Sequence, residues 1–211
     1  MFTYLKNAQI FSKFDLKSGF WQLGIKPSER YKTVFCIPNA HYQWTVLPFG
    51  LKTTPSIFQK SMVQIFQPIL HSALLCIDDI LLFSGTQDDH RHLLNQFFDI
   101  IQSHGIMLSA KKSIIATNNI EFLGMTIKDG HYQPGKHIAQ ELIHFPNQNL
   151  SKREIQQFLG IRDFISHVDH HTRQLSALLK KNPPSWNNNH TLAVTTLMEG
   201  IGTVVSRDKS C

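Results

Sequence analysis

The hydrophobic pattern of the chain switches repeatedly between the period of a strand and that of a helix. Ile10-Phe11-Ser12-Lys13-Phe14-Asp15 alternates like a strand and ends on a carboxylate. The chain then turns through Ser18-Gly19, and Pro27-Ser28-Glu29-Arg30 reads as a loop. Residues 31–37 and 42–46 are β-prone runs separated by Pro38-Asn39-Ala40-His41, which predicts a hairpin. Ile57, Phe58, Met62, Ile65, Phe66 and Ile69 recur at helical spacing, so a helix is predicted over 55–71, with Thr54 as its cap and Pro55 in its first turn. Two short apolar runs then flank Asp78-Asp79, predicting a hairpin with both aspartates at the turn. Leu93, Leu94, Phe97, Phe98 and Ile101 line one side of a helix over 88–104, which Gly105 stops. Short strands follow at 112–116 and 121–127. After Gly130 the pattern predicts a helix over 151–167, with a capping box of Ser151 and Glu154, and a shorter one over 175–181. Asn187-Asn188-Asn189 reads as a loop, and 200–211 shows no clear pattern.

Without the hairpin inserted near its start, residues 10–127 give the order β-α-β-β-α-β, a ferredoxin-like α+β arrangement. There the first strand lies beside the central hairpin, so Asp15 meets Asp78 and Asp79. An Asp-Asp turn has a plain reading, since Asp tolerates turn geometry. It also has a chemical one. Carboxylates crowded at the tip of a buried hairpin repel one another unless a cation sits among them. Mg²⁺ takes hard oxygen ligands, typically one or two carboxylates with phosphate oxygens.

Charge sharpens this picture. Of the 211 residues, 42% are hydrophobic and 17% charged, as in globular domains. The formal net charge is +6, and residues 1–60 carry eight Lys or Arg against two acids. A basic stretch of that kind suits either a solvated surface or a polyanionic partner. Cys36, Cys76 and Cys211 form no Cys-x-x-Cys pair, which argues against a zinc knuckle or disulfide framework. No 18-residue apolar run and no secretory leader pattern is present. The expectation is an intracellular, unsecreted protein of cytoplasm or nucleus that does not contact membrane. His167, Asp169, His170 and His171 cluster, but adjacent histidines on a helix point to different faces and chelate poorly. No nucleophile with a His–acid pair and no phosphate-binding Gly-rich loop is evident.

Five segments resemble the blocks of retroelement reverse transcriptases, in order: Phe11-Ser12-Lys13-Phe14-Asp15-Leu16-Lys17-Ser18-Gly19-Phe20-Trp21-Gln22, then 47–59 from Leu47-Pro48-Phe49-Gly50 to Gln59, then Ile77-Asp78-Asp79-Ile80, then Leu108-Ser109-Ala110-Lys111-Lys112, and Glu121-Phe122-Leu123-Gly124. The version here is similar to the plant pararetroviruses of the caulimovirus group and their integrated copies, with Ty3-type retrotransposons next. Phe158-Leu159-Gly160 and the 178–186 segment resemble the region those polyproteins carry between polymerase and RNase H.

The resemblance implies a polymerase right-hand palm with partial fingers and a small helical thumb or connection segment. The palm would occupy 1–128, with a finger hairpin inserted over about 22–50, the connection 129–199, and an unpatterned tail 200–211. It implies RNA-directed DNA synthesis with dNTPs on a primed RNA or DNA template. Two Mg²⁺ ions, or Mn²⁺ in their place, would sit on Asp15, Asp78, Asp79 and the Leu16 carbonyl. Phe20 would floor the sugar pocket and exclude a ribose 2′-OH, Phe49 and Gly50 would support the incoming base, and Gln59 would give polar support. Lys112, or its neighbour Lys111, would donate a proton to pyrophosphate. Phe122-Leu123-Gly124 would grip the primer end, and Lys13, Lys17, Lys26, Arg30 and Lys32 would meet phosphates.

The chain departs from the family in carrying Cys76 where an aromatic usually precedes Ile-Asp-Asp. Few residues precede Asp15, no RNase H acidic cluster follows, and basic finger residues that clamp the triphosphate are expected to be missing. Two readings follow: a polymerase core that alone has little or no activity, and a catalytically inactive retroelement fragment that retains nucleic-acid binding.

Overall fold

The computed structural model describes residues 5, 7–128, 131–135, 145–146, 148–160, 173 and 175–206. The chain divides into two compact units, Met1–Phe122 with Ile127–His131, and Leu123–Thr126 with Tyr132–Cys211.

The first unit is built on a four-stranded sheet of β1 (Ile10–Asp15), β4 (Ala73–Cys76), β5 (Asp79–Ser84) and β6 (Ile114–Thr117), in the order β4-β5-β1-β6. That is the ferredoxin-like order, with the first strand beside the central hairpin. Helices α1 (Thr54–Ile65) and α2 (Gln87–His104) supply the crossovers. β1 runs antiparallel to β5, placing Phe14 opposite Ile80 and Asp15 opposite Asp79.

Alternation along the strands sorts the side chains. Phe14, Ile80 and Leu82 enter a core with Phe58, Met62, Phe66, Leu93 and Phe97 of the helical layer. Phe97 stacks on both Phe14 and Phe66, with ring centroids 4.5 and 5.6 Å apart. The other face carries Phe11, Lys13 and Asp15 in register with Phe83, Leu81 and Asp79. Helix α2 is capped by Thr86, whose hydroxyl accepts from the Asp89 amide at 3.2 Å, and Gly105 closes it at φ 62°.

Several boundaries differ from the sequence pattern. Helix α1 ends at Ile65, and Gln67–Ser72 is a 3₁₀ helix, because Pro68 disfavours helical geometry in the residue before it. Thr53 takes the N-cap position. Thr54 instead donates its hydroxyl to the Pro48 carbonyl at 2.9 Å, tying the preceding loop down. Cys76 pairs with Asp79 across the strands, so the two-residue turn is Ile77-Asp78 and Asp79 opens β5. Ile77 supplies the positive φ of 52°. The early hairpin is shorter than expected, with β2 (Phe35–Ile37) and β3 (Ala40–Tyr42) preceded by 3₁₀ residues Pro27–Thr33. The single strand expected over 121–127 is two, β7 (Asn119–Phe122) and β8 (Met125–Lys128), parted by Leu123-Gly124 at φ 50° and 76°. With β9 (His131–Pro134) they make a three-stranded sheet in the order β7-β8-β9.

The second unit has its own core of Leu150, Ile155, Phe158, Leu175, Leu178, Ala193 and Val194. Helix α3 (Lys152–Gly160) begins with the expected capping box: the Ser151 amide donates to Glu154 Oε2 at 2.7 Å, and the Glu154 amide donates to Ser151 Oγ at 3.3 Å. The Ser151 hydroxyl, which donates to Glu154 Oε2 at 2.6 Å, and then the Ser151 amide hold the Glu154 carboxyl below its ordinary range. The rest of the predicted 151–167 helix, and the histidine cluster at 167–171, lie outside the described residues. Helix α4 (Asn188–Ser206) replaces both the expected loop and part of the expected unpatterned tail. Asn187 caps it, its Oδ1 accepting from the amides of Asn189 and His190 at 3.0 and 3.2 Å. No described helix is long and apolar enough to cross a membrane.

Candidate active site

The acidic site forms where β1 ends and the β4–β5 turn begins. Asp15 and Asp79 are cross-strand partners, hence on one face of the sheet. Asp78 sits in the turn, and its backbone carbonyl accepts from the Leu16 amide at 2.9 Å, which ties the turn to the end of β1. The topology thus brings together the three aspartates that the sequence singled out. Like charges facing each other across a ladder destabilise it.

The electrostatics record that crowding. Asp78 Oδ1 is buried and has no hydrogen-bond partner. Its carboxyl is pushed above the ordinary range, first by burial and then by the charges of Asp15 and Asp79, with Lys112 opposing. Lys112 is the opposing cation: its Nζ lies 3.0 Å from Asp15 Oδ2, reaching it from the 3₁₀ turn Ala110–Lys112 just before β6. Burial and the Asp79 charge also push the Cys76 thiol up, so this half-buried sulfur stays protonated at neutral pH.

The surroundings fit a hard divalent cation. The donors are carboxylate oxygens, one of them buried and unpaired. Among the described residues no three His, Cys, Asp or Glu side chains converge tightly enough to cage an ion by themselves. An open site of one or two carboxylates finished by substrate phosphates is the ordinary habit of Mg²⁺.

Two residues whose roles the sequence left unread shape the cluster. Gly19 is buried beneath Asp78, and a Cβ there would lie 2.0 Å from Asp78 Oδ1 and 3.1 Å from Phe58 Cζ. Only glycine leaves room for that carboxylate. Its pattern, Ser18-Gly19, signalled nothing beyond a turn. Gln22 joins the same segment to the strand-free stretch before Lys112. Its amide group donates to the Lys17 and Met107 carbonyls at 2.6 and 2.9 Å and accepts from the Met107 amide at 2.7 Å.

The remaining candidates fall around this point. Gln59 on α1 grips the turn directly, donating to the Leu75 carbonyl at 3.1 Å and accepting from the Ile77 amide at 2.7 Å. Its contacts are with backbone, and it holds the shape of the turn. Phe20 packs with rings 5.1 Å from Phe49 and 5.1 Å from Phe58. Phe49 is 56% exposed and edges against Trp21. Its loop reaches Phe20 because the Ile25 amide bonds the Thr45 carbonyl and the Leu47 amide bonds the Leu23 carbonyl, at 2.8 and 2.9 Å. Gly50 takes φ 89°, with nothing within 4 Å of a would-be Cβ. Leu16 is buried and bridges Leu108, fixing the backbone that follows Asp15. Of the basic residues, Lys13 donates to the Glu121 carbonyl at 3.2 Å, Arg30 Nε to the Ile25 carbonyl at 3.1 Å, and Lys32 pairs with Glu29.

The family described as "Reverse transcriptase (RNA-dependent DNA polymerase)" matches residues 2–127. The genome polyprotein of petunia vein clearing virus is 59% identical over 203 residues, covering 94% of this chain and 9% of that polyprotein. The enzymatic polyprotein of cauliflower mosaic virus is 38% identical over 197 residues, covering 91% of the chain and 29% of the polyprotein. The chain therefore spans less than a third of the length of either relative. Among solved structures, the foamy viral protease-reverse transcriptase in complex with RNA/DNA hybrid matches 95% of this chain and 28% of its own, at 23% identity and a TM-score of 0.70. The same protein with double-stranded DNA matches at a TM-score of 0.71, covering 94% of this chain and 37% of its own. The α+β fold is thus the polymerase fold of reverse transcriptases. On the family match and its pararetroviral relatives, the chain belongs to the reverse transcriptase (RNA-dependent DNA polymerase) family.

Proposed function

We propose that this chain carries the nucleotidyl-transfer site of an RNA-directed DNA polymerase. The observation that supports it most is the buried, unpartnered Asp78 Oδ1 beside Asp15 and Asp79. A carboxylate so placed is costly unless it serves as a ligand. Asp15, Asp78 and Asp79, with the Leu16 carbonyl, would hold divalent cations, Mg²⁺ or Mn²⁺. Bound there, two such ions supply charge stabilisation to the attacking and leaving oxygens.

The chain's own residues do the rest. The primer 3′-hydroxyl would lose its proton to solvent as its oxygen bonds the α-phosphorus of a dNTP, the bond from that phosphorus to the α,β-bridging oxygen would break, and pyrophosphate would leave. Lys112, paired with Asp15 at 3.0 Å, would leave that pair and give a proton to the pyrophosphate. Phe20, whose ring packs against those of Phe58 and Phe49, would floor the sugar pocket, where a deoxyribose fits and a 2′-OH clashes. Gln59 keeps the Ile77-Asp78 turn in place, and Gly19 leaves space for the Asp78 carboxylate. A primed RNA or DNA template is the implied partner. The structural relatives were solved with RNA/DNA hybrid and with double-stranded DNA.

Primer extension on poly-rA/oligo-dT with dTTP and Mg²⁺, beside Asp78→Asn, tests the reading. It predicts weak incorporation at most, above the Asp78→Asn background and removed by chelation. Incorporation that survives Asp78→Asn contradicts it. No incorporation, with salt-sensitive hybrid binding retained, would replace it with a nucleic-acid-binding remnant without chemistry.

A further inference from the structure

Behind the acidic cluster, on the helix-covered face, lies a hydrogen-bonded chain that the chemistry above does not use. Ser12 in β1 and His90 in the first turn of α2 are both buried, and Ser12 Oγ is 2.7 Å from His90 Nε2. His90 Nδ1 is 3.0 Å from Ser84 Oγ, and the Ser84 hydroxyl donates to the Thr86 carbonyl at 3.0 Å. With that proton committed, Ser84 accepts from His90 Nδ1–H. His90 Nε2 is then free to accept the Ser12 hydroxyl proton, so the network assigns one tautomer of a neutral imidazole. Burial lowers the His90 pKa, in keeping with the neutral ring.

The far end of this chain is an irregularity in the sheet. Phe11 pairs with Thr117 and Lys13 with Ile114, so β6 carries one residue more than β1 between the two pairs. Ala116 lies in this bulge at φ 53°, left-handed for a residue with a Cβ. Its amide donates to Ser12 Oγ at 2.9 Å. Ser12 thus satisfies the N–H that the bulge takes out of the ladder, and His90 orients Ser12 to do it.

The bulge matters because of what precedes it. Lys112 stands two residues before Ile114, and the Ser109 amide donates to the Asp15 carbonyl at 2.8 Å on the other side of it. Lys112 therefore reaches Asp15 Oδ2 across a segment pinned at both ends. A one-residue slip of β6 would move that segment by about 3.3 Å and invert the strand's faces.

We propose that Ser12 and His90 are positioning residues: together they pin the β6 bulge and so set the register that delivers Lys112 to Asp15. The geometry stands on its own, and its consequence for catalysis rests on the reading of Lys112 given above.

Zero-length carbodiimide crosslinking of Asp15 to Lys112 in the 211-residue chain, read by peptide mass spectrometry, tests the positioning by a readout other than activity. The crosslink is expected in the wild type, lost in Ser12→Ala and in His90→Ala, and restored by His90→Gln, whose amide oxygen can accept from Ser12. Phe97→Leu, which loosens the core away from the bulge, should keep it. That separates positioning from general destabilisation. If Ser12→Ala does not fold, Ala116→Gly is added, because glycine relieves the left-handed backbone without restoring the acceptor. Equal crosslinking in the wild type and in every folded Ser12 and His90→Ala variant overturns the proposal. If the crosslink is lost while primer extension is unchanged, the positioning stands and Lys112 leaves the chemistry.

Discussion

Asp78 holds its place against its own electrostatics. Its folded-state pKa is raised, so between the ordinary carboxylate range and that higher value the folded state binds more protons than the unfolded one. Its influence on stability is therefore least unfavourable at low pH and grows unfavourable as pH rises through the window. Asp78→Asn removes that dependence. It should raise the melting temperature at neutral pH by roughly a few degrees while abolishing incorporation, an exchange of stability for function. A melting temperature at pH 7.5 that falls in this variant would contradict the assignment. Gly19 makes the complementary case. With a Cβ 2.0 Å from Asp78 Oδ1, Gly19→Ala must displace the carboxylate, and a misplacement of that order costs roughly 10²-fold in rate. Wild-type kinetics in Gly19→Ala would show that the carboxylate position is not critical. The sequence made the three aspartates legible, since charged residues ending or interrupting apolar runs stand out. It could not make Gly19 or Ser12 legible, because their importance lies in what approaches them from distant parts of the chain.

At the scale of elements, the Ile77-Asp78 turn is held from outside. Gln59 takes one bond to the carbonyl before the turn and one from the amide within it. Gln59→Ala should cost about 1–3 kcal/mol, since a partly buried backbone group loses its partner. It should also speed amide exchange at Ile77 more than at Phe14, and uniform exchange rates would deny the brace. The sequence placed the aspartates one residue off, with both in the turn. The register comes from β1, which pairs Asp15 with Asp79 and leaves Asp79 inside the ladder. Turn propensity alone cannot see a third strand. Helix α4 shows the opposite failure. Its Asn-rich start reads as a loop, and its Thr, Val and Gly residues are poor helix formers, yet Ala193 and Val194 bury into the second unit's core. Tertiary burial outweighs local preference there. The Ser151–Glu154 box and the Thr86 cap were readable or nearly so because a cap is a local interaction. Thr86→Ala should destabilise the first unit by about 1 kcal/mol in a denaturant titration.

For the whole molecule, the proposed function would have the basic N-terminal portion meet a polyanion and the acidic cluster handle its phosphates. Lys13, Arg30 and Lys32 already make contacts within the chain, which orients them but leaves most of their charge on the surface. Hybrid binding should weaken linearly in log–log against salt, and Lys17→Ala or Lys26→Ala should flatten that slope by about 0.7–0.9 each. A salt-independent affinity would remove the electrostatic account of binding. The palm layout was legible because two helical and four strand patterns alternate in an order with few folded solutions. The central claim is that Asp15, Asp78 and Asp79 hold a divalent cation. Its most direct test is Mn²⁺ binding followed by electron paramagnetic resonance, with primed poly-rA and dTTP present, in the wild type and in Asp78→Asn. The account predicts bound Mn²⁺ in the wild type, tightening as pH rises through the Asp78 titration, and weakened by about tenfold or more in the variant. Equal Mn²⁺ affinity in the two proteins would contradict it.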